Sequence, residues 1–314
     1  MKVSVSITAY NHERFIEQAV ESVLAQETGF DFELIVGEDC SSDRTREIVT
    51  ALEQRHLGRM RGRMRTVLPP QNLGAGGKTL FAETVRACRG EYIACLDGDD
   101  YWTSPHKLQI QADFLDRHPE CSACYHDVIR VYEDGLDGPP ASRSEEAKPF
   151  ATMEDVVERC FIPSCSPMFR REIVEELPAW YWEVPWGDWP LYILAAERGP
   201  IGYIDAELGA YRVHRGGVWT GLPEIEQLEG LLAFYRRINA LLGFRYDDII
   251  RRRAGRCSYR LAACYEAAGE HSRARSVAWE ALRLLPVDRN NPYRHLLHML
   301  VKPATRRLRG LAVR

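Results

Sequence analysis

The sequence predicts an α/β protein with a mixed, mainly parallel, doubly wound sheet flanked by helices, followed by an α-helical C-terminal region. Three observations carry this. Short apolar runs alternate with helix-period segments through the first hundred residues, as β-α-β-α-β-loop-α-β. Each run ends in a polar cluster: Thr8/Tyr10, Glu38/Asp39, Gly74 to Lys78, and Asp97 to Asp100. Residues 224–300 are helical in pattern. Ligands of open α/β sheets sit beyond the carboxyl ends of the strands, so the four clusters are expected to converge on one edge.

The elements follow in order. Residues 3–7 alternate strictly and read as a strand, with a turn at 8–11. Residues 12–27 carry Phe15, Ile16, Ala19, Val20, Val23 and Leu24 at the spacing of an amphipathic helix. Residues 32–36 form the second strand, and Ser42 or Asp43 caps the helix after it. A shorter third strand spans 64–68. The glycine-rich segment 72–78 then leads into a helix through Ala87. The fourth strand, 92–96, ends abruptly in Asp97-Gly98-Asp99-Asp100. Three carboxylates in four residues repel one another, and folding disfavours that without a cation. Gly98 lets the backbone turn so that Asp97 and Asp99 converge. Oxygen ligands favour Mg²⁺ or Mn²⁺. An acidic turn that caps the next helix is the other reading. Beyond it come a helix at 106–117, a strand at 122–131, a surface loop at 133–150 and a helix at 189–197. The loop either closes over the site or is an inert insertion.

The 314 residues leave room for one α/β domain of about 200–250 residues and a smaller piece. Hydrophobic and charged fractions of 45% and 27% are ordinary for a globular protein, and the net charge of −4 gives no nucleic-acid signature. No apolar stretch approaches the roughly 18 residues of a spanning helix, and the sequence opens on a strand. A cytoplasmic protein without a signal peptide is therefore expected. The nine cysteines are an odd number scattered through apolar runs, which reads as reduced, buried thiols. Cys121 and Cys124 have no second pair at zinc spacing and read as core.

TAYN after the first strand, the acidic pair running into CSSD, NLGAGGK, and LDGDD after GEYI resemble family 2 glycosyltransferases with the GT-A fold, over about residues 1–220. Two positions depart from the family's usual text: Cys40 stands for glycine and Lys78 for arginine. The resemblance implies that Thr8, Tyr10 and Asp39 hold the base and ribose of a nucleotide sugar. Lys78 would approach the base or diphosphate, and Asp97 would lie near the ribose. Asp99 would be the direct ligand of a Mn²⁺ or Mg²⁺ ion that stabilises the leaving diphosphate as a Lewis acid. In the second half, Asp188 falls where the family has an acid opening a helix. It would take the acceptor proton opposite the leaving group, with Glu183 in reserve. Residues 211–219 resemble the family's terminal YRxH segment. There His214 would ligate the metal or diphosphate, and Arg212 or Arg215 would neutralise phosphate charge. Ser164 and Ser166 either bond a sugar hydroxyl or pair with backbone. Trp180, Trp182, Trp186 and Trp189 either stack on a sugar face or fill core.

The expected domains are 1–222, 223–300 and a basic tail at 301–314. The first divides into a nucleotide-sugar half, 1–105, and an acceptor half, 106–222. Leu261, Ala262, Tyr265, Gly269, Ala274, Ala278, Ala281 and Pro286 resemble one tetratricopeptide unit. A single unit must pack on flanking helices or on a second subunit, and a homodimer is one outcome. The tail either frays or makes peripheral contact with the inner face of a membrane. The resemblance implies a metal-dependent, inverting transferase acting on a nucleoside diphosphate sugar, with a UDP-sugar as first choice. Its acceptor would be a glycan or glycolipid of a bacterial surface polysaccharide. Peptide side-chain glycosylation is one alternative, and a sugar-nucleotide-binding protein without turnover is another.

Overall fold

The computed structural model describes residues 1–56, 64–139, 148–285 and 292–301. Pro286, residues 140–147 of the expected surface loop and the tail from residue 302 lie outside them. The chain divides into two compact units, Met1–Gly221 and Leu222–Arg314.

In the first unit the order is β1 (Val3–Ala9), α1 (Ile16–Leu24), β2 (Phe32–Glu38), α2 (Thr45–His56), β3 (Met64–Val67), α3 (Lys78–Ala87) and β4 (Tyr92–Asp97). Then follow β5 (Tyr101–Trp102), α4 (Lys107–Arg117), β6 (Ala123–Tyr132), β7 (Phe150–Ala151), α5 (Met153–Glu158), β8 (Met168–Arg170), α6 (Arg171–Val174), α7 (Asp188–Arg198) and β9 (Ile201–Val213). One sheet runs β3-β2-β1-β4-β8-β6-β9-β5, with β7 also on β9. The β1–β2, β1–β4, β2–β3 and β6–β9 pairs are parallel, and β8 runs antiparallel between β4 and β6. The sheet is thus mixed and mainly parallel, as the sequence predicts.

Val3, Val5 and Ile7 of β1 are fully buried, and so are the alternate serines. A strand covered on both faces must satisfy its polar side chains. Ser4 Oγ donates to Glu33 at 2.7 Å and accepts the Gly90 N–H at 2.8 Å; Ser6 and Thr84 hydroxyls pair at 2.7 Å. Helix α1 begins at Ile16 rather than at residue 12. The His12 N–H is taken by Thr45 Oγ1 (2.8 Å), which ties the preceding turn to α2. The two-residue strands β5 and β7 and the short helices α5 and α6 are too brief to show a period in sequence.

The second unit is a succession of helices, each packed on the next: α8 (Glu224–Leu241), α9 (Asp247–Ala267), α10 (His271–Leu284) and α11 (Tyr293–Val301). Ala262, Ala278 and Ala281 are fully buried and mesh α9 with α10, beside Leu285, Leu296 and Met299. Gly269, at φ 78°, reverses the chain between the two helices. Among the described residues, no helix is long and apolar enough to cross a membrane.

Candidate active site

Register fixes the site. In the parallel ladder Thr8 stands opposite Asp97, and Ala9 opposite Glu38. The ends of β1, β2 and β4 therefore lie side by side. The loops leaving β1 and β2 are laced together. Asn11, at φ 57°, donates its N–H to Ser41 Oγ (2.8 Å), and its Oδ1 accepts the Ser42 N–H (2.9 Å). The Glu13 N–H donates to Asp43 Oδ2 (3.0 Å), and Glu13 Oε2 accepts the Arg44 N–H (3.1 Å).

Glu38 is fully buried, paired with Arg46, and accepts the Ser41 N–H at 2.6 Å. Asp39, next to it, organises the glycine-rich loop. Its Oδ1 accepts the Leu73 N–H (2.7 Å) and its carbonyl accepts Asn72 Nδ2 (2.8 Å). Tyr10 is 47% exposed, so its ring is not core.

The acidic turn leaves β4 with the Gly98 N–H on the Thr8 carbonyl at 2.8 Å. A Cβ on Gly98 would lie 2.8 Å from both Ala9 Cβ and His12 Nδ1, so only glycine permits this approach. Asp97, Asp99 and Asp100 offer oxygens that all lie within 4.8 Å of one another. Asp97 Oδ1 accepts Thr8 Oγ1 at 3.3 Å, and Ser164 also bonds this carboxylate. Burial, with the charge of Asp99 added, pushes Asp97 up to about 7. Asp99 Oδ2 lies 3.0 Å from His214 Nε2 and 3.7 Å from His12 Nε2. Burial works against its charge, but the His214 hydrogen bond and the two imidazoles outweigh it and hold Asp99 below the usual aspartate range. Asp100 is buried and accepts the Arg212 N–H at 2.7 Å; burial and its two acidic neighbours push it well up. Asp97, Asp99 and Asp100 thus offer an oxygen donor set of the kind that fits a hard divalent cation, with His214 against Asp99.

The buried Arg212 guanidinium bonds the Asp99 carbonyl and Gln18, 4.8 Å from the centre of the Phe15 ring and 4.6 Å from that of Tyr101. It clamps the acidic turn from behind. Lys78 is also buried, and its Nζ donates to the carbonyls of Val184 (2.6 Å) and Tyr181 (3.1 Å). Asp188 is the first residue of α7. Burial pushes its carboxyl up, while the N–H groups of Trp189 and of Asp188 itself pull the other way. Its charge acts on Asp97.

Ser166 pairs with backbone, its Oγ on the Pro163 carbonyl at 2.7 Å. Trp189 is core, with Nε1 on the Val156 carbonyl at 2.8 Å; Trp182 and Glu183 are exposed. Trp186 meets Trp219 edge-on at 5.2 Å. The structure therefore gathers Thr8, Asp97, Asp99, Arg212 and His214, and aims Lys78 elsewhere. His12 is the neighbour that sequence patterning passes over. Its place just beyond a strand that ends at the site is the signal that finds it.

The family model for glycosyl transferase family 2 matches residues 4–177. An uncharacterised protein of Mycobacterium tuberculosis is 34% identical over 221 residues, covering 69% of this chain and 60% of that protein. The alignment thus leaves more than a third of the mycobacterial protein unmatched. Poly(ribitol-phosphate) β-N-acetylglucosaminyltransferase TarS of Staphylococcus aureus is 30% identical over 156 residues, 49% of this chain and 25% of TarS. The crystal structure of TarS 1-349 with UDP-GlcNAc matches with a TM-score of 0.63 at 19% identity, covering 91% of this chain and 82% of that one. A mannosyltransferase from Pyrobaculum calidifontis, in complex with GDP-Man and Mn²⁺, matches with a TM-score of 0.59 at 18% identity, over 95% and 84%. At these identities the two structures report a shared GT-A fold. The family model spans more than half of the chain, which is a member of glycosyl transferase family 2.

Proposed function

We propose that this transferase is metal-dependent and inverting, and that it moves a sugar from a nucleoside diphosphate sugar, a UDP-sugar first, to an acceptor hydroxyl. The acceptor we infer is a glycan or glycolipid of a bacterial surface polysaccharide. One observation carries the reading: Asp97 and Asp99 converge at the carboxyl ends of β1 and β4, Asp99 bonds His214, and Asp97 lies within electrostatic reach of Asp188. Asp97 and Asp99, with His214, would hold Mn²⁺ or Mg²⁺, which when bound supplies Lewis acidity to the leaving diphosphate. Tyr10 offers an exposed ring for the base. Thr8 and Asp39 line the strand ends where the ribose would lie. Arg212 fixes the turn that carries Asp99.

Asp188 takes the acceptor proton. As the acceptor oxygen bonds to the anomeric carbon, the bond from that carbon to the diphosphate oxygen breaks, and the nucleoside diphosphate leaves from the opposite face. A carboxyl raised by burial is better matched to accept a proton near neutral pH than an ordinary aspartate. A second reading, transfer to a peptide side chain, draws on the α9–α10 hairpin as a place to hold a protein acceptor.

The test incubates the protein with a panel of nucleoside diphosphate sugars and Mn²⁺ or Mg²⁺ and quantifies released nucleoside diphosphate. Metal-dependent release from one donor, lost in Asp99→Asn, supports the reading. Asp188→Asn should keep donor binding and lose transfer to acceptor by ~10²–10⁴-fold. No release, together with no donor-induced rise in Tm, would overturn it.

A further inference from the structure

Lys78 opens α3 directly after a loop whose Gly74, Gly76 and Gly77 all have positive φ, at 63°, 59° and 79°. A lysine in that place is expected to face a phosphate. Here it faces the other half of the unit. Its ammonium donates to two carbonyls, those of Tyr181 and Val184, in and just after the 3-10 turn Ala179–Glu183. Its Nζ lies 5.3 Å from the centre of the Tyr181 ring. Its stem packs where Gly187 has no side chain: a Cβ there would lie 3.3 Å from Lys78 Cγ and 3.1 Å from Tyr181 Oη. Gly187 immediately precedes Asp188. A buried ammonium needs full hydrogen bonding to be tolerated, and two carbonyls plus a ring face provide most of it.

We propose that Lys78 is a positioning residue that ties residues 181–187 to the end of the glycine-rich loop and so sets the place of Asp188. The kinetic part of this inference rests on the proposed function; the structural part does not. The tether explains why a segment with little regular structure between α6 and α7 can deliver a carboxylate to a fixed point. Two backbone acceptors are pinned to a helix start, and the residue before Asp188 leans on the same side chain. It also accounts for lysine at this position. The ammonium is compact enough to sit between two carbonyls, whereas a guanidinium brings a wider planar fork.

The experiment compares wild type, Lys78→Met and Gly187→Ala in the full chain. Amide hydrogen exchange is read first, without ligand. Lys78→Met should raise exchange across residues 179–188 by ~10-fold while the amides of β1 and β4 keep their protection. Gly187→Ala, which presses on the same contact, should raise it in the same segment. UDP with Mn²⁺ then serves as the binding probe. Lys78→Met should keep its Kd within about twofold while kcat for transfer falls by ~10-fold or more. Unchanged exchange in both variants would overturn the tether. A Kd raised by ~10-fold with kcat intact would overturn it too, and would make Lys78 a phosphate ligand. If the wild type binds no nucleotide, the proposed function fails while the exchange measurement still decides the tether. A global rise in exchange in Lys78→Met would indicate general loosening; if Gly187→Ala then left residues 179–188 protected, the proposal would fall.

Discussion

His214 Nε2 lies 3.0 Å from Asp99 Oδ2, although the two residues are 115 positions apart in the chain. The bond joins the last turn of the sheet to the acidic turn after β4. The Phe15 ring, 4.9 Å from the imidazole, holds it in place. Hydrogen bonds to a charged group contribute about 1.5–3 kcal/mol, enough to keep a half-buried aspartate ionised against its surroundings. His214→Ala should therefore weaken Mn²⁺ affinity by ~10-fold or more, measured by calorimetric titration, with a modest loss of Tm. Asp99→Asn should abolish the binding. Affinity within about twofold in His214→Ala would remove the histidine from the cation site.

Gly98→Ala tests the close approach beneath the same turn. The added Cβ meets Ala9 of β1, His12 Nδ1 of the turn tied to α2 and, at 3.1 Å, Ile16 Cδ1 of α1. Overpacking of this kind costs about 1–3 kcal/mol. Because the backbone that shifts carries Asp97 and Asp99, Mn²⁺ affinity should fall together with Tm. A variant with normal stability and lost affinity would show that the turn yields and α1 does not.

The alternation of strands and helices and the convergence of polar clusters were legible in the sequence because β1, β2 and β4 are apolar runs that end sharply in charge. Asp97, Asp99 and His214 were legible through their motifs. The partners that decide each role were not. Lys78 and Arg212 read in the sequence as cations for phosphate, yet Lys78 donates to the carbonyls of Tyr181 and Val184, and Arg212 to the Asp99 carbonyl and Gln18. Such assignments depend on which backbone acceptors a fold leaves unpaired, and residue spacing carries no record of that. His12 likewise has no period or motif to mark it; only the register of β1 against β4 brings it to Asp99.

Cys40 shows a departure in the sequence becoming a strain in the structure. It stands where the resemblance leads one to expect glycine, and its φ is 55°. The left-handed region costs an L-residue about 1–2 kcal/mol, offset partly by the greater freedom glycine has when unfolded. The thiol gives little in return, a 3.8 Å contact with the Pro70 carbonyl. Cys40→Gly should thus stabilise the protein by about 0.5–1 kcal/mol, a rise in Tm of ~1–4 °C. A lower Tm would mean that the side chain contributes packing beyond this contact.

Lys107 gives a stability prediction with a defined pH window. It is fully buried on α4, its Nζ lies 3.8 Å from the centre of the Trp102 ring, and that nitrogen has no hydrogen-bond partner among the described residues. Burial pushes its ammonium down from 10.5 to about 7. Between those two values the unfolded lysine holds a proton that the folded one has released. Its contribution to stability is therefore fully favourable only above about 10.5 and is lost as pH falls towards 7. Buried thiols and tyrosines, which burial pushes up in the folded protein, titrate in this range once unfolded, so the clean quantity is the difference between Lys107→Met and wild type. Methionine keeps the length of the stem and removes the charge. The variant should be more stable by about 1–4 kcal/mol at pH 7, the range found when buried charges are replaced by apolar groups of similar volume. That gain should shrink as pH rises towards 10. Urea unfolding of both proteins at several pH values measures it. A variant less stable than wild type at pH 7, by an amount that does not change with pH, would mean that the ammonium stays charged over Trp102. The cation–π contact would then outweigh the cost of burial.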